Sequence, residues 1–369
     1  MSPALKKFLL LFFSLLFAFG LAEAGLRFFV EPPPEPVALN LVEADQPYAY
    51  RLNPAHPEIS PQGLRDRVFE IPKPAGTFRI LALGDSVTYG LFVPAEKSFP
   101  KQLERVLKEN HPRLEVMNAG VNGYSTYNEA GFYQALGASF APDLVLLGFC
   151  PNDITDPTLH WHDREGYFRN LPQEAFPDPE RHRLEVAPRF YGRGGLPRFL
   201  EHAALYRFWE TRKTVALARD KRFEPAAGKN WPVYVADDDT DATLLSLTRP
   251  DSKEWQWLGG QLIRLDKAVK EKGGRLVVLV LPLSYQTEPG YPFHPETVFL
   301  EFCRQNQIAC WDPLPALREK GGPSLYMGRH RYHPHDVWHF SEKGNAVVAG
   351  ALADFLEAEN LVPREWGSS

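Results

Sequence analysis

The chain has 369 residues, 44% hydrophobic and 24% charged, which excludes a disordered chain and requires a folded core. A formal net charge of −5 gives no basis for a nucleic-acid partner, and none is expected. Three cysteines, Cys150, Cys303 and Cys310, are too few for a disulfide framework. Buried free thiols are the expected state, and a Cys303–Cys310 pair is the alternative if the chain is exported.

The amino end has Lys6-Lys7 followed by the apolar run Phe8 to Ala22, and Ala22-Glu23-Ala24 has the small-x-small form of a cleavage site. A cleaved signal peptide and an uncleaved membrane anchor both fit residues 1–30. Either would carry the body of the chain out of the cytoplasm. A helix that is apolar all round fits a membrane better than a domain surface. Glu31-Pro32-Pro33-Pro34-Glu35-Pro36 is a stiff, extended spacer, and residues 31–75 read as a Pro-rich stalk and irregular arm. Tyr48-Ala49-Tyr50 is a candidate short edge strand.

From residue 76 to 360 the pattern is that of one domain. The apolar run Phe78 to Leu83 breaks into Gly84-Asp85-Ser86-Val87-Thr88-Tyr89-Gly90, as a buried parallel strand entering a loop would. Ser86 is there either an exposed nucleophile or a helix N-cap. A helix is expected over 96–110, a second strand over 113–121, a helix capped by Ser125 running to about Ser139, and a third strand over 143–149. This strand–helix alternation predicts a parallel sheet with helical crossovers, all strand ends on one edge.

From 154 to 250 the pattern breaks into an aromatic- and Pro-rich stretch, read as an insertion capping that edge. It holds one expected helix, Leu196 to Arg219. The acidic run Asp237 to Asp241 lacks the glycine and spaced glutamate of a calcium loop and reads as solvated. Alternation then resumes with a helix over 255–272, a strand over 275–281, a helix over 295–306, a short strand over 308–311 and a terminal helix over 342–359.

Asp336 and His339 stand three apart, a spacing that shares one face in a helical turn. A carboxylate on one imidazole nitrogen fixes the tautomer and frees the other nitrogen to take a proton from a hydroxyl. Taken alone, the pair reads better as a helix-start cap beside a surface histidine. Gly123 and Asn152 stand after the second and third strands, where a backbone N–H and a side-chain amide would serve an oxyanion. Taken singly, they read as a turn glycine and an Asx-turn or cap. His330, His333, His335 and His339 do not have the spacing of a zinc motif, and no metal or cofactor is expected.

These four blocks, Gly84-Asp85-Ser86, Asn118 to Gly123, Asn152, and Asp336-Val337-Trp338-His339 with Ser341 and Gly344, resemble the SGNH (GDSL-type) hydrolase superfamily. The likeness covers roughly Phe78 to Leu356 apart from the insertion. It implies a three-layer α/β/α sandwich around a mostly parallel, flavodoxin-like sheet. It also implies a serine esterase in which Ser86 is the nucleophile, His339 the base and Asp336 its orienter. Ser86 N–H, Gly123 N–H and Asn152 would form the oxyanion hole. One departure is Pro151, where the superfamily often has glycine; it removes an N–H and stiffens the loop. The expected substrate is a carboxylic ester or an acylated carbohydrate. The alternatives are an O-acetyltransferase or deacetylase on an extracytoplasmic polysaccharide, and a carbohydrate-binding module with a vestigial triad.

Overall fold

The structure is a computed structural model that describes residues 2–29, 42–46, 48–150, 153, 160–162, 168–170, 223–225, 232–234, 253–289, 291, 295–328 and 336–363. The chain opens with α1 (Pro3–Phe29), followed by an antiparallel hairpin of β1 (Val42–Gln46) and β2 (Ala49–Leu52). Next come β3 (Phe78–Gly84), α2 (Ser86–Tyr89), α3 (Phe99–Leu107), β4 (Leu114–Gly120), α4 (Thr126–Ala135) and β5 (Leu144–Phe149). Two short antiparallel hairpins fall within 154–250: β6 (His160–His162) with β7 (Phe168–Asn170), and β8 (Phe223–Pro225) with β9 (Pro232–Tyr234). The expected helix Leu196 to Arg219, the Asp237 run and the stalk prolines lie outside the described residues. The chain continues through α5 (Lys253–Glu271), β10 (Arg275–Val280), α6 (Pro295–Gln305), β11 (Ala309–Trp311) and α7 (Leu314–Lys320). It closes with β12 (Tyr326–Gly328), β13 (Asp336–Phe340) and α8 (Glu342–Ala358).

Five strands form one parallel sheet in the order β11-β10-β5-β3-β4. Read from β4, this is the doubly wound flavodoxin-like order, in which ligands bind beyond the carboxyl ends where the strand order reverses. That point lies between β3 and β5, directly under α2. The strand runs are continuously apolar because both faces are covered. Leu81, Leu83, Val145, Leu147 and Val278 face α4, α5 and α6, while Ile80, Ala82, Leu146, Val277 and Leu279 face α3, α7 and α8. The parallel sheet expected from the alternation and the three layers implied by the resemblance are therefore present.

The arm is more embedded than its composition suggests. Tyr48, Tyr50, Leu52, Leu64 and Phe69 join the core on the α4 face, and β2 pairs with β1 rather than with the main sheet. Cys303 and Cys310 form a disulfide, correcting the expectation of free thiols. The end of α6 turns straight into the edge strand, with Ile308 N–H donating to Cys303 O at 2.9 Å, and this brings the two Cα atoms to 6.2 Å. Cys150 is a buried free thiol. Over Pro3–Leu26, α1 is long and apolar enough to cross a membrane, a description of length and composition only.

Candidate active site

Three glycines stand in register at the ends of adjacent strands: Gly84, the last residue of β3, pairs with Gly120, the last of β4, and with Gly148, the last but one of β5. Their bare backbones let the short helix α2 sit directly on the sheet edge. A Cβ at Gly120 would lie 2.6 Å from the Thr88 carbonyl carbon and 2.8 Å from Tyr89 Cα.

The cap of α2 is Asp85, whose carboxylate accepts from Val87 N–H at 2.8 Å. Ser86 is thus the first helical residue and not the cap, and its hydroxyl turns to His339, with Oγ 2.8 Å from Nε2. His339 Nδ1 lies 2.7 Å from Asp336 Oδ2. Ser86, 253 residues from His339 in the chain, is thereby brought into one line with His339 and Asp336.

Asp336 and His339 do not share a helical turn. They lie on β13, where the segment 336–340 opposes the shorter 326–328 of β12, so the strand bulges. Asp336 Oδ1 accepts the N–H groups of Trp338 and His339, each at 3.0 Å, folding the chain back so that Oδ2 reaches the ring. Asp336 is buried, and burial alone would raise its pKa. The hydrogen bond and charge of His339, with the two backbone donors, outweigh that and hold it at about 2. Asp336 is therefore a carboxylate at neutral pH. It makes Nδ1 the protonated nitrogen and leaves Nε2 to accept from Ser86.

Two parts of the chain secure this line. Ser341 caps α8, accepting from Gly344 N–H at 3.2 Å and donating to Leu325 O at 2.9 Å. Asn345 accepts from Phe99 N–H at 2.8 Å, tying α8 to α3. On the other side, the buried Arg65 of the arm donates to the carbonyls of Tyr89, Gly90 and Val93 at 2.9–3.0 Å. A cation thus faces the carboxyl end of α2, where the helix dipole favours it. The same bonds frame Phe92, which holds a left-handed φ of 71° and sets its ring edge-on to His339, centroids 5.2 Å apart. A bulky residue in that conformation stores about 1–3 kcal/mol of strain. The sequence carries no signal for Phe92 beyond an apolar residue soon after Gly90.

Gly123 lies in the turn after β4 with φ 75°. Asn152, Pro151, His330, His333 and His335 lie outside the described residues. Asp153 is buried, its N–H donating to Cys150 O at 2.9 Å.

Glu129, in the first turn of α4, is fully buried, and neither carboxyl oxygen has a hydrogen-bond partner among the described residues. Burial first, then the carboxylates of Asp153 and Asp85, raise its pKa well above 4.5. The folded chain therefore keeps a proton that the unfolded chain releases above pH 4.5, and folding is penalised progressively as pH rises beyond that value. Glu129→Gln removes the penalty. Its melting temperature relative to the natural chain is expected to rise from about pH 4 to about pH 8. A pH-independent difference in a thermal melt series would show that Glu129 is not held as a neutral acid.

The chain matches the GDSL-like lipase/acylhydrolase family over residues 82–297. An arylesterase of Vibrio mimicus is 36% identical over 75 residues, which are 20% of this chain and 38% of that protein, so the match spans well under half of its relative. Among solved structures, an acetylxylan esterase from Geobacillus stearothermophilus aligns with 12% identity and a TM-score of 0.41, over 79% of this chain and 97% of that one. A two-domain esterase active on acetylated mannans aligns with 11% identity and a TM-score of 0.40, over 79% and 53%. The family match runs from β3, the strand that leads into Ser86, to α6 and takes in more than half of the 369 residues, so the chain belongs to the GDSL-like lipase/acylhydrolase family.

Proposed function

We propose that the chain is a serine esterase that hydrolyses carboxylic esters, including those of acylated carbohydrates, through an acyl-enzyme. The observation that carries this reading is the hydrogen-bonded path from Asp336 through His339 to Ser86, 2.7 and 2.8 Å at its two steps. In the first half-reaction Ser86 Oγ attacks the acyl carbon while its proton passes to His339 Nε2. The imidazolium is steadied by the Asp336 carboxylate. The carbonyl oxygen becomes an oxyanion held by Ser86 N–H, Gly123 N–H and the Asn152 amide. Collapse of this intermediate expels the alcohol, which takes the proton from His339. Water then repeats the sequence, losing its proton to His339, and the carboxylic acid leaves as Ser86 Oγ regains that proton.

Residues 76–360 serve as the hydrolase domain, with 154–250 as its insertion. Residues 31–75 serve as stalk and arm, and 1–30 as a signal peptide or membrane anchor that places the domain outside the cytoplasm. The apolar length of α1 supports that placement.

The test is covalent trapping. A fluorophosphonate added to the full chain in detergent, followed by peptide mapping, is expected to label Ser86 alone. Label on another residue would defeat the assignment. With an acetyl donor and a sugar acceptor present together, the expected product is free acetate. Acetylated sugar as the main product would instead mark a transferase.

A further inference from the structure

The planar peptide between residues 122 and 123 has two ends. Its N–H is that of Gly123, the oxyanion donor of the function proposed above, and its C=O is that of Asn122. The hydroxyl of Tyr50, a fully buried residue of β2, donates to Asn122 O at 2.8 Å. A residue of the N-terminal arm therefore grips the far end of the donor's own peptide. The 122–123 peptide is spanned, but not itself engaged, by the bond that closes the turn, from Tyr124 N–H to Val121 O at 3.1 Å. It lies beyond the last residue of β4, and Gly123 sits at φ 75° with no Cβ to bar a flip of the plane.

The arm, in contrast, is held from several directions. The Tyr124 hydroxyl donates back to Tyr50 O, and Asn128 Nδ2 donates to Tyr48 O at 2.8 Å. The Tyr50 and Tyr124 rings meet edge-to-face at 5.1 Å, and Tyr48 meets Phe132 in the same way at 5.7 Å. Gly131 of α4 is where Tyr48 packs, since a Cβ there would lie 2.6 Å from Tyr48 Cβ.

We propose that Tyr50 is a positioning residue for the oxyanion hole: its hydroxyl fixes the plane of the 122–123 peptide so that Gly123 N–H points at the developing oxyanion. The inference rests on the catalytic reading above. A hydroxyl on the carbonyl also polarises the same peptide's N–H, because hydrogen bonds in a chain strengthen one another. The arm, which stands outside the residues matched to the family, thereby becomes part of the catalytic apparatus.

Tyr50→Phe keeps the ring and removes only the hydroxyl. Tyr124→Phe removes a second buried hydroxyl at the same contact, from the turn after β4, one that bonds Tyr50 O and not the 122–123 peptide. Both variants of the full chain are expected to melt somewhat below the natural protein, and by similar amounts. With p-nitrophenyl acetate as the probe, Tyr50→Phe should lower kcat by about tenfold with KM nearly unchanged, a fraction of the loss of a whole oxyanion donor. Tyr124→Phe should keep kcat within about twofold. An unchanged kcat in Tyr50→Phe, or equal falls in both variants, would overturn the proposal and leave the tyrosines as arm packing only. Ser86 labelling by the fluorophosphonate separates this failure from a deeper one. If the natural chain labels at Ser86 while Tyr50→Phe turns over normally, only the Tyr50 inference is lost. If Ser86 is never labelled, the catalytic reading is lost and this one with it.

Discussion

Replacing His339 with alanine is expected to lower kcat on an activated ester by about 10⁴–10⁶-fold, with KM changed far less. The size follows from the geometry around the ring. His339 Nε2 is 2.8 Å from Ser86 Oγ, and no other described side chain hydrogen-bonds that hydroxyl. Without the imidazole, the serine hydroxyl has a pKa far above neutral and is a poor nucleophile. The leaving alcohol also loses its proton donor. Ser86→Ala should cost a similar factor, and the double variant little more than either alone, because the groups act as one unit. Fluorophosphonate labelling of Ser86 should disappear in His339→Ala, since the trap needs the same activated oxygen. A loss of less than about tenfold, or labelling at the natural rate, would remove His339 from the role of base.

The framework was legible where one physical constraint dominated. β3, β5 and β10 are buried on both faces, and such strands have no alternation to blur their ends. Ser86, His339 and Asp336 were legible only jointly, through four blocks in order; singly, each fitted a plainer role. The local geometry was less readable. A three-residue spacing fits a helical turn, yet Asp336 meets His339 through a bulge held by its own carboxylate. The pairing of Cys303 with Cys310 depends on the angle at which α6 runs into an edge strand, which composition does not encode. α7 escaped notice because seven residues, preceded by Pro313 and containing Pro315, give too little periodicity to detect. The arm looked irregular because only Tyr48, Tyr50 and Leu52 alternate as a strand does, while the buried Leu64 and Phe69 follow in no regular element. It is held by side-chain bonds to backbone carbonyls, which leave no pattern in the sequence.

The glycine row beneath α2 should be as unforgiving as the hydrogen-bonded line above it. Gly120→Ala is expected to lower kcat/KM by about 10²-fold or more and to destabilise the fold by about 1–3 kcal/mol, the usual cost of overpacking. Gly120 does not adopt a left-handed φ, so the alanine backbone is unstrained and only space is at issue. The atoms it meets belong to the backbone of Thr88 and Tyr89, which cannot rotate away as a side chain could. α2 must therefore lift from the sheet, taking Ser86 Oγ and Ser86 N–H with it, while His339 stays on β13. A displacement near one ångström is enough to cost about a hundredfold in rate. Gly350→Ala is the matched control: it lies in α8 with nothing within 4 Å of the added methyl, and a helical alanine is favoured there. That variant should melt at or above the natural temperature with unchanged kinetics. If Gly120→Ala behaved like Gly350→Ala, close seating of α2 on the strand ends would not be what positions the serine.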